Sequence, residues 1–255
     1  MSKLTVSAVK KRLQSIQRVD DPFVTSLTSD SRKGVQQALR VFYRRIERQR
    51  AAKQAFEARF HYERQFWQRG LKYLAGVDEV GRGPLAGPVV TAAVILDSHF
   101  DLVEVTDSKQ LTRQERESLY LRIVDEAVEV SIGVNDSQTI DRLNILEADR
   151  DAMVKAVRSL HHFPQQLIVD AVKLPLQTPQ LTMFKADAKS ISVAAASIVA
   201  KEYRDHLMAD YDRLYPQYGF KENAGYGTAK HLAALSKYGV TPIHRRSFRP
   251  VKKYL

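Results

Sequence analysis

The chain has no cysteine among its 255 residues, which excludes disulfides, thiolate metal sites and cysteine nucleophiles. Long apolar runs are missing too. The longest cover residues 89–96 and 193–200, short of the ~18 residues a membrane span needs. The opening segment, MSKLTVSAVKKRLQSIQ, lacks the apolar core of a secretion signal. No internal repeat or low-complexity tract is present. A soluble cytoplasmic protein without membrane contact is the expectation, and the state expected of it is monomeric. Acidic residues are scarce at one end: residues 1–70 hold 6 against 16 basic ones, whereas residues 71–255 hold 23 against 24. Almost all of the net charge of +11 therefore sits in the first quarter. Such an asymmetry suits a nucleic-acid partner, and equally a helical extension with a solvated basic face.

What is present divides into two parts, a basic helical extension over residues 1–70 and a second domain over 71–255. Helical spacing runs through residues 4–17, a turn-like stretch follows over 20–31, and a second helix is expected from about residue 31 to Gln68. Strand patterns cover 73–77, 87–96, 102–105, 128–134 and 166–170. Helical patterns cover 112–127, 144–160, 190–215 and 228–238. Strands first, then alternating helix and strand, predict an α/β fold with a mixed sheet covered by helices. A basic tail free of acids closes the chain over 237–255.

Four acids stand in unusual places. Asp78 and Glu79 follow the apolar run LAGV, Asp170 ends QLIV, and Asp187 precedes a helix nearly free of charge for a dozen residues. Acids beside a core are costly unless paired or metal-bound. Strand ends of a mixed sheet converge, and carboxylates meeting there suit hard divalent cations such as Mg²⁺ or Mn²⁺. Taken singly, each is an ordinary strand end or helix cap. Gly81-Arg82-Gly83 allows close backbone approach to a ligand, with Arg82 able to meet a phosphate, or it is simply a turn. The Walker lysine and spacing are missing, as are the third glycine and following helix of a dinucleotide loop. Weaker candidates are Asp107-Ser108-Lys109, and Ser190 at a helix start, where free amides favour anions. Lys201, Arg204 and Asp205 read as an exposed salt-bridge face, His231 and His244 as proton carriers or structural residues, and Trp67 as packing. Tyr226, between two glycines, is able to stack on a base or sugar.

AGVDEVGRGPLAGPVVTAAVIL (75–96), TDSKQL (106–111), IVDAVKLP (168–175) and ADAKSISVAAASIVAKEYRD (186–205) together resemble the bacterial ribonuclease HII family, as do YPQYGFKENAGYGTAKHLAAL (215–235) and YGVTPIHRRSF (238–248). The blocks keep the family's order over residues 75–250, departing mainly at AVKLP after Asp170. Residues 30–39, DSRKGVQQAL, resemble the N-terminal extension of ribonucleases HII from low-GC Gram-positive bacteria. The resemblance implies a ribonuclease H-like fold with a C-terminal helical segment. It implies cleavage of the RNA strand of RNA–DNA hybrids and cutting on the 5′ side of single ribonucleotides in duplex DNA. Two-metal hydrolysis leaving 3′-hydroxyl and 5′-phosphate ends is implied too. Asp78, Glu79, Asp170 and Asp187 match the family's acidic quartet, with Asp78 and Asp170 as inner ligands. Gly81, Arg82 and Gly83 match its loop that reads the 2′-hydroxyl, and Tyr226 its sugar-packing tyrosine. Lys109 and Ser190 fall where phosphate contacts are made. A ribonuclease HIII-type enzyme and a non-catalytic hybrid binder are the competing expectations. The first typically has Glu as its fourth acid and a β-rich N-terminal platform; the second is expected to have lost an acid.

Overall fold

Helix starts follow the capping residues in the sequence. In the computed structural model, which describes residues 4–255, the Thr5 hydroxyl accepts the Ala8 N–H and opens α1 (Val6–Ser15). Asp21 caps α2 (Pro22–Leu27) with Pro22 at its first position, inside the stretch expected to be a turn. The second helix is not continuous to Gln68. It is α3 (Lys33–Arg59) followed by α4 (His61–Gln68). Phe60 leaves helical geometry at φ −77°, ψ 2° and separates them.

The chain forms two compact units, one reaching Glu57 and the other spanning Ala58–Leu255. In the first, Val9 and Leu13 of α1, Val24 and Leu27 of α2, and Val35, Leu39, Phe42 and Ile46 of α3 make a core of their own. Arg45 closes α1 by donating to the carbonyls of Leu13 and Ile16 at 2.8 and 2.6 Å. The positive charge lies around this core, with Arg40, Arg44 and Arg48 exposed one turn apart on α3.

The second unit begins with Ala58 and includes α4. Its elements then run β1 (Leu74–Val80), β2 (Val89–Ile95), α5 (Arg113–Glu126), β3 (Glu129–Asn135), α6 (Ser137–Leu143), α7 (Ile145–Arg158), β4 (Gln166–Asp170), β5 (Gln180–Met183), α8 (Ile191–Leu214), α9 (Phe220–Asn223) and α10 (Ala229–Tyr238). The sheet order is β3-β2-β1-β4-β5. The pairs β1–β2 and β2–β3 are antiparallel, β1–β4 and β4–β5 parallel. It is the expected mixed sheet, with α7 on one face and α8 on the other. Residues 102–105 form no strand; a turn closes there with Val105 N–H donating to Leu102 at 3.0 Å, with Leu102 and Val105 buried all the same. The short strand β5 and the Asp136-capped helix α6 were not foreseen.

Two glycines set the layer spacing. A methyl on Gly76 would lie 2.2 Å from the Ser192 carbonyl carbon, and one on Gly133 would lie 1.9 Å from the Ala152 oxygen. Hydrogen at both positions lets β1 meet α8 and β3 meet α7 backbone to backbone. Alternation then assigns faces. Ala75, Val77, Leu167 and Val169 join Met153 and Val157 of α7 in one core, while Ile168 packs with Val193 of α8.

Candidate active site

Register brings the first acids together. Val77 of β1 lies opposite Val169 of β4, so Asp78 and Asp170 follow side by side at parallel strand ends. Both share the face of Gly76 and Ile168, toward α8. There the Ser197 hydroxyl lies beside the Asp78 carboxylate and favours its ionised form. Asp78, Glu79 and Asp170 each offer an oxygen lying within 4.8 Å of the others. Asp170 Oδ1 also accepts the Ala186 N–H at 2.8 Å, which draws in the turn that carries Asp187. Asp187 lines the same cavity, of about 410 Å³, and stands outside the tight trio.

Burial shifts Asp78, Glu79 and Asp187 in the same direction, toward the protonated form. Burial, then the charge of Glu79, pushes the Asp78 carboxyl well above its usual range. Burial likewise raises Glu79 against the opposing pull of Arg82. Asp187 is raised by burial and by Asp107, with Lys109 opposing. Asp78, Glu79 and Asp170 together form a hard oxygen donor set, and a divalent cation offsets the repulsion among such converging carboxylates. The donors present fit such an ion.

The other candidate residues separate into those at the cavity and those inside the protein. Lys109 is well exposed, with its ammonium 3.9 Å from Asp187. Tyr226 is 51% exposed and lines the cavity. Ser190 is fully buried, and its hydroxyl donates to Glu63 Oε1 at 2.5 Å. It caps α8 and presents no hydroxyl to a ligand. Ser108 is buried likewise, 3.1 Å from the Ser197 hydroxyl. Of the expected salt-bridge face, Lys201 and Asp205 do pair, at 2.5 Å. Arg204 instead is 1% exposed and donates to the carbonyls of Pro88, Ala224 and Ala86. Trp67 packs against Phe60, ring centroids 5.8 Å apart.

The 81–83 loop is shaped by what surrounds it. Gly81 has φ +95°, and a methyl there would strike Arg204 Nε at 2.3 Å. A methyl on Gly83 would sit 3.3 Å from Cε1 of Tyr226, so loop and tyrosine adjoin. Arg245, fully buried, donates to the carbonyls of Gly81 at 2.5 Å, Arg82 at 2.9 Å and Gly87 at 3.0 Å. No peptide bond among the described residues is cis, so with those oxygens turned to Arg245 the N–H groups of Arg82 and Gly83 point away from it. The loop thus offers donors. Arg82 itself lies between Glu79, at 3.7 Å, and Asp149 of α7, at 3.5 Å. Asp149 is fully buried, and among the described residues neither of its oxygens has a hydrogen-bond partner. Burial, then Glu79, pushes its carboxyl up to about 7.

Glu63, Asp149, Arg204 and Arg245 escaped the sequence reading of the site. Asp149 alone left a trace, an acid among the alanines of an apolar helix face.

Comparison with known proteins agrees with this geometry. The family model described as Ribonuclease HII matches residues 75–251, and that described as Ribonuclease HII N-terminal domain matches residues 5–67. A curated ribonuclease HII of Limosilactobacillus reuteri is 64% identical over the whole of both chains. That of Levilactobacillus brevis is 57% identical over 98% of this chain and 97% of its own. The crystal structure of ribonuclease H2 from Pyrococcus horikoshii superposes with a TM-score of 0.62 at 30% identity, covering 71% of this chain and 96% of that one. Bst ribonuclease HIII, solved in complex with Mn²⁺, shares the fold with a TM-score of 0.59 at 21% identity, over 72% of this chain and 69% of that one.

Proposed function

The chain belongs to the ribonuclease HII family, and on that premise we propose that it cuts the RNA strand of RNA–DNA hybrids and, in duplex DNA, the 5′ side of a single ribonucleotide. The observation carrying this reading is the meeting of Asp78, Glu79 and Asp170 within 4.8 Å, beside the 81–83 loop and Tyr226. Asp78 and Asp170 would hold Mg²⁺ or Mn²⁺ as inner ligands, with Glu79 and Asp187 completing the set. When bound, such ions supply an activated water and neutralise charge developing on the phosphate, leaving 3′-hydroxyl and 5′-phosphate ends.

The chain's own residues select and orient the strand. The outward N–H groups of Arg82 and Gly83 read the 2′-hydroxyl, the group that distinguishes RNA from DNA. Tyr226 packs on the sugar beside it. Lys109 faces the phosphate backbone at the cavity mouth. The protein works in the cytoplasm as a monomer.

The test is cleavage of a duplex carrying one ribonucleotide, with Mg²⁺ and with Mn²⁺. Cutting on its 5′ side is expected with either ion and none in chelator; cation-independent or absent cutting overturns the reading. Asp78→Asn should lose at least about a hundredfold in rate, as when a group stabilising the transition state is removed, while duplex binding in a gel-shift assay stays within about threefold.

A further inference from the structure

Residues 244 and 245 each reach toward a different part of the site. Arg245 holds the 81–83 loop through the carbonyls of Gly81 and Arg82, and ties it to that of Gly87. Its own N–H donates to Leu85 at 2.9 Å. Among the described residues it makes no ion pair, so backbone carbonyls and the face of the Phe248 ring, 5.1 Å away, compensate its buried charge. Burial, then Arg204, pulls its acidity to about 9, leaving it a cation at neutral pH. Losing any of these carbonyls would strand that charge, and the loop is fixed accordingly.

His244 reaches the other way. Its Nδ1 accepts the Thr241 N–H at 2.9 Å, so this nitrogen carries no proton. Its Nε2–H must then donate to Nε2 of His231, 2.9 Å away. That leaves His231 Nδ1–H to donate to the carbonyl of Tyr226, at 2.9 Å. Each bond fixes the next tautomer, and the chain ends on the backbone of Tyr226. His244 also bridges Ala86, and Leu85 N–H donates to Gly225 at 2.8 Å. A methyl on Gly225 would lie 2.3 Å from the Ala86 oxygen, so the loops already touch where these bonds meet.

We infer that the dipeptide His244-Arg245 is a positioning element that sets the spacing between the 81–83 loop and Tyr226, and through it the discrimination for a 2′-hydroxyl. The inference rests on the sugar-reading role proposed above. Neither residue touches the substrate. The dipeptide aims two N–H donors and one aromatic ring at a single sugar, a geometry that tolerates little displacement.

The experiment measures binding of the full-length protein in Mg²⁺ to two duplexes, one all-deoxy and one with a single ribonucleotide. Both carry a hydrolysis-resistant phosphorothioate at the cutting position. The readout is the ratio of the two affinities, which a partly unfolded sample leaves unchanged. Arg245→Lys keeps the charge but lacks the fork that spans three carbonyls. Its ratio should fall about tenfold, the worth of one well-placed hydrogen bond to a charged or pinned group, with all-deoxy affinity within about twofold. His231→Gln, which spares Arg245, should lower the ratio about threefold by releasing Tyr226, and it serves where Arg245→Lys does not fold. An unchanged ratio in a folded variant overturns the inference, as does a parallel loss of both affinities. A wild-type ratio of one would instead overturn the sugar-reading role itself.

Discussion

Asp149 is the residue with the most exposed consequence in solution, though it is itself fully buried. Unfolded, its carboxyl ionises near the usual value of about 4; folded, it keeps its proton up to about 7. The native state therefore loses stability as pH rises through that window, and the loss is complete above it. Asp149→Asn should be more stable than the wild type by about 4 kcal/mol at about pH 8 and equal to it at about pH 4. Urea denaturation at the two pH values checks this; a gain independent of pH would remove the charge as its cause. The same substitution frees Arg82 from one of its two carboxylate neighbours. At this scale the sequence was informative wherever an acid terminated an apolar run, as for Asp78 and Asp170. It misled where a polar residue's partner lay far away in the chain. Ser190 looked like an anion site because a helix begins there, and it is filled from within the protein by Glu63.

Elements carry the geometry through backbone contact. Gly76 lets β1 lie directly on α8, which is why Ser197 reaches Asp78. Gly76→Ala drives a methyl into the Ser192 carbonyl carbon, 2.2 Å away, where no flexible side chain can yield. The expected cost is about 3 kcal/mol, the upper range for overpacking. It should show as a lower melting temperature together with weakened metal-dependent cutting; an unchanged melting temperature would show that the layers adjust. Most elements were legible from apolar periodicity and caps, including the long α8 with its small residues. The break at Phe60 was not, because helical spacing runs through it. Nor was β5, four residues long and only partly buried. Arg204 lies in a helix stretch, AKEYRD, whose local pattern is that of a solvated face. Only the tertiary fold places three carbonyls around it.

At the scale of the molecule, charge and structure divide the chain at different places. The basic excess extends through residue 70, whereas the compact units meet between Glu57 and Ala58. The helix α4 belongs to the second unit, and its Glu63 accepts the hydroxyls of Ser190 and Ser192 and the Ser192 N–H at the start of α8. Two truncations should thus behave differently. A chain starting at Ala58 should keep its melting temperature and bind duplex more weakly, with a shallower dependence on salt, since residues 1–57 carry 13 basic against 5 acidic side chains. A chain starting at Leu71 also loses the acceptor for these donors and should be destabilised by a further 2 kcal/mol or so. Salt-dependent binding and thermal melting of both chains separate the two effects. An unchanged salt slope in the first would make the basic unit a structural extension only.

The bracing of the 81–83 loop also has a kinetic side. Its key hydrogen bond joins Gly81 to Arg245 across 164 positions of chain, and contacts so distant in sequence form only after much of the intervening chain has been ordered. The brace on this loop is thus a longer-range contact than the β1–β4 pairing that brings Asp78 beside Asp170, and the loop is held only when the two ends of the second unit have come together.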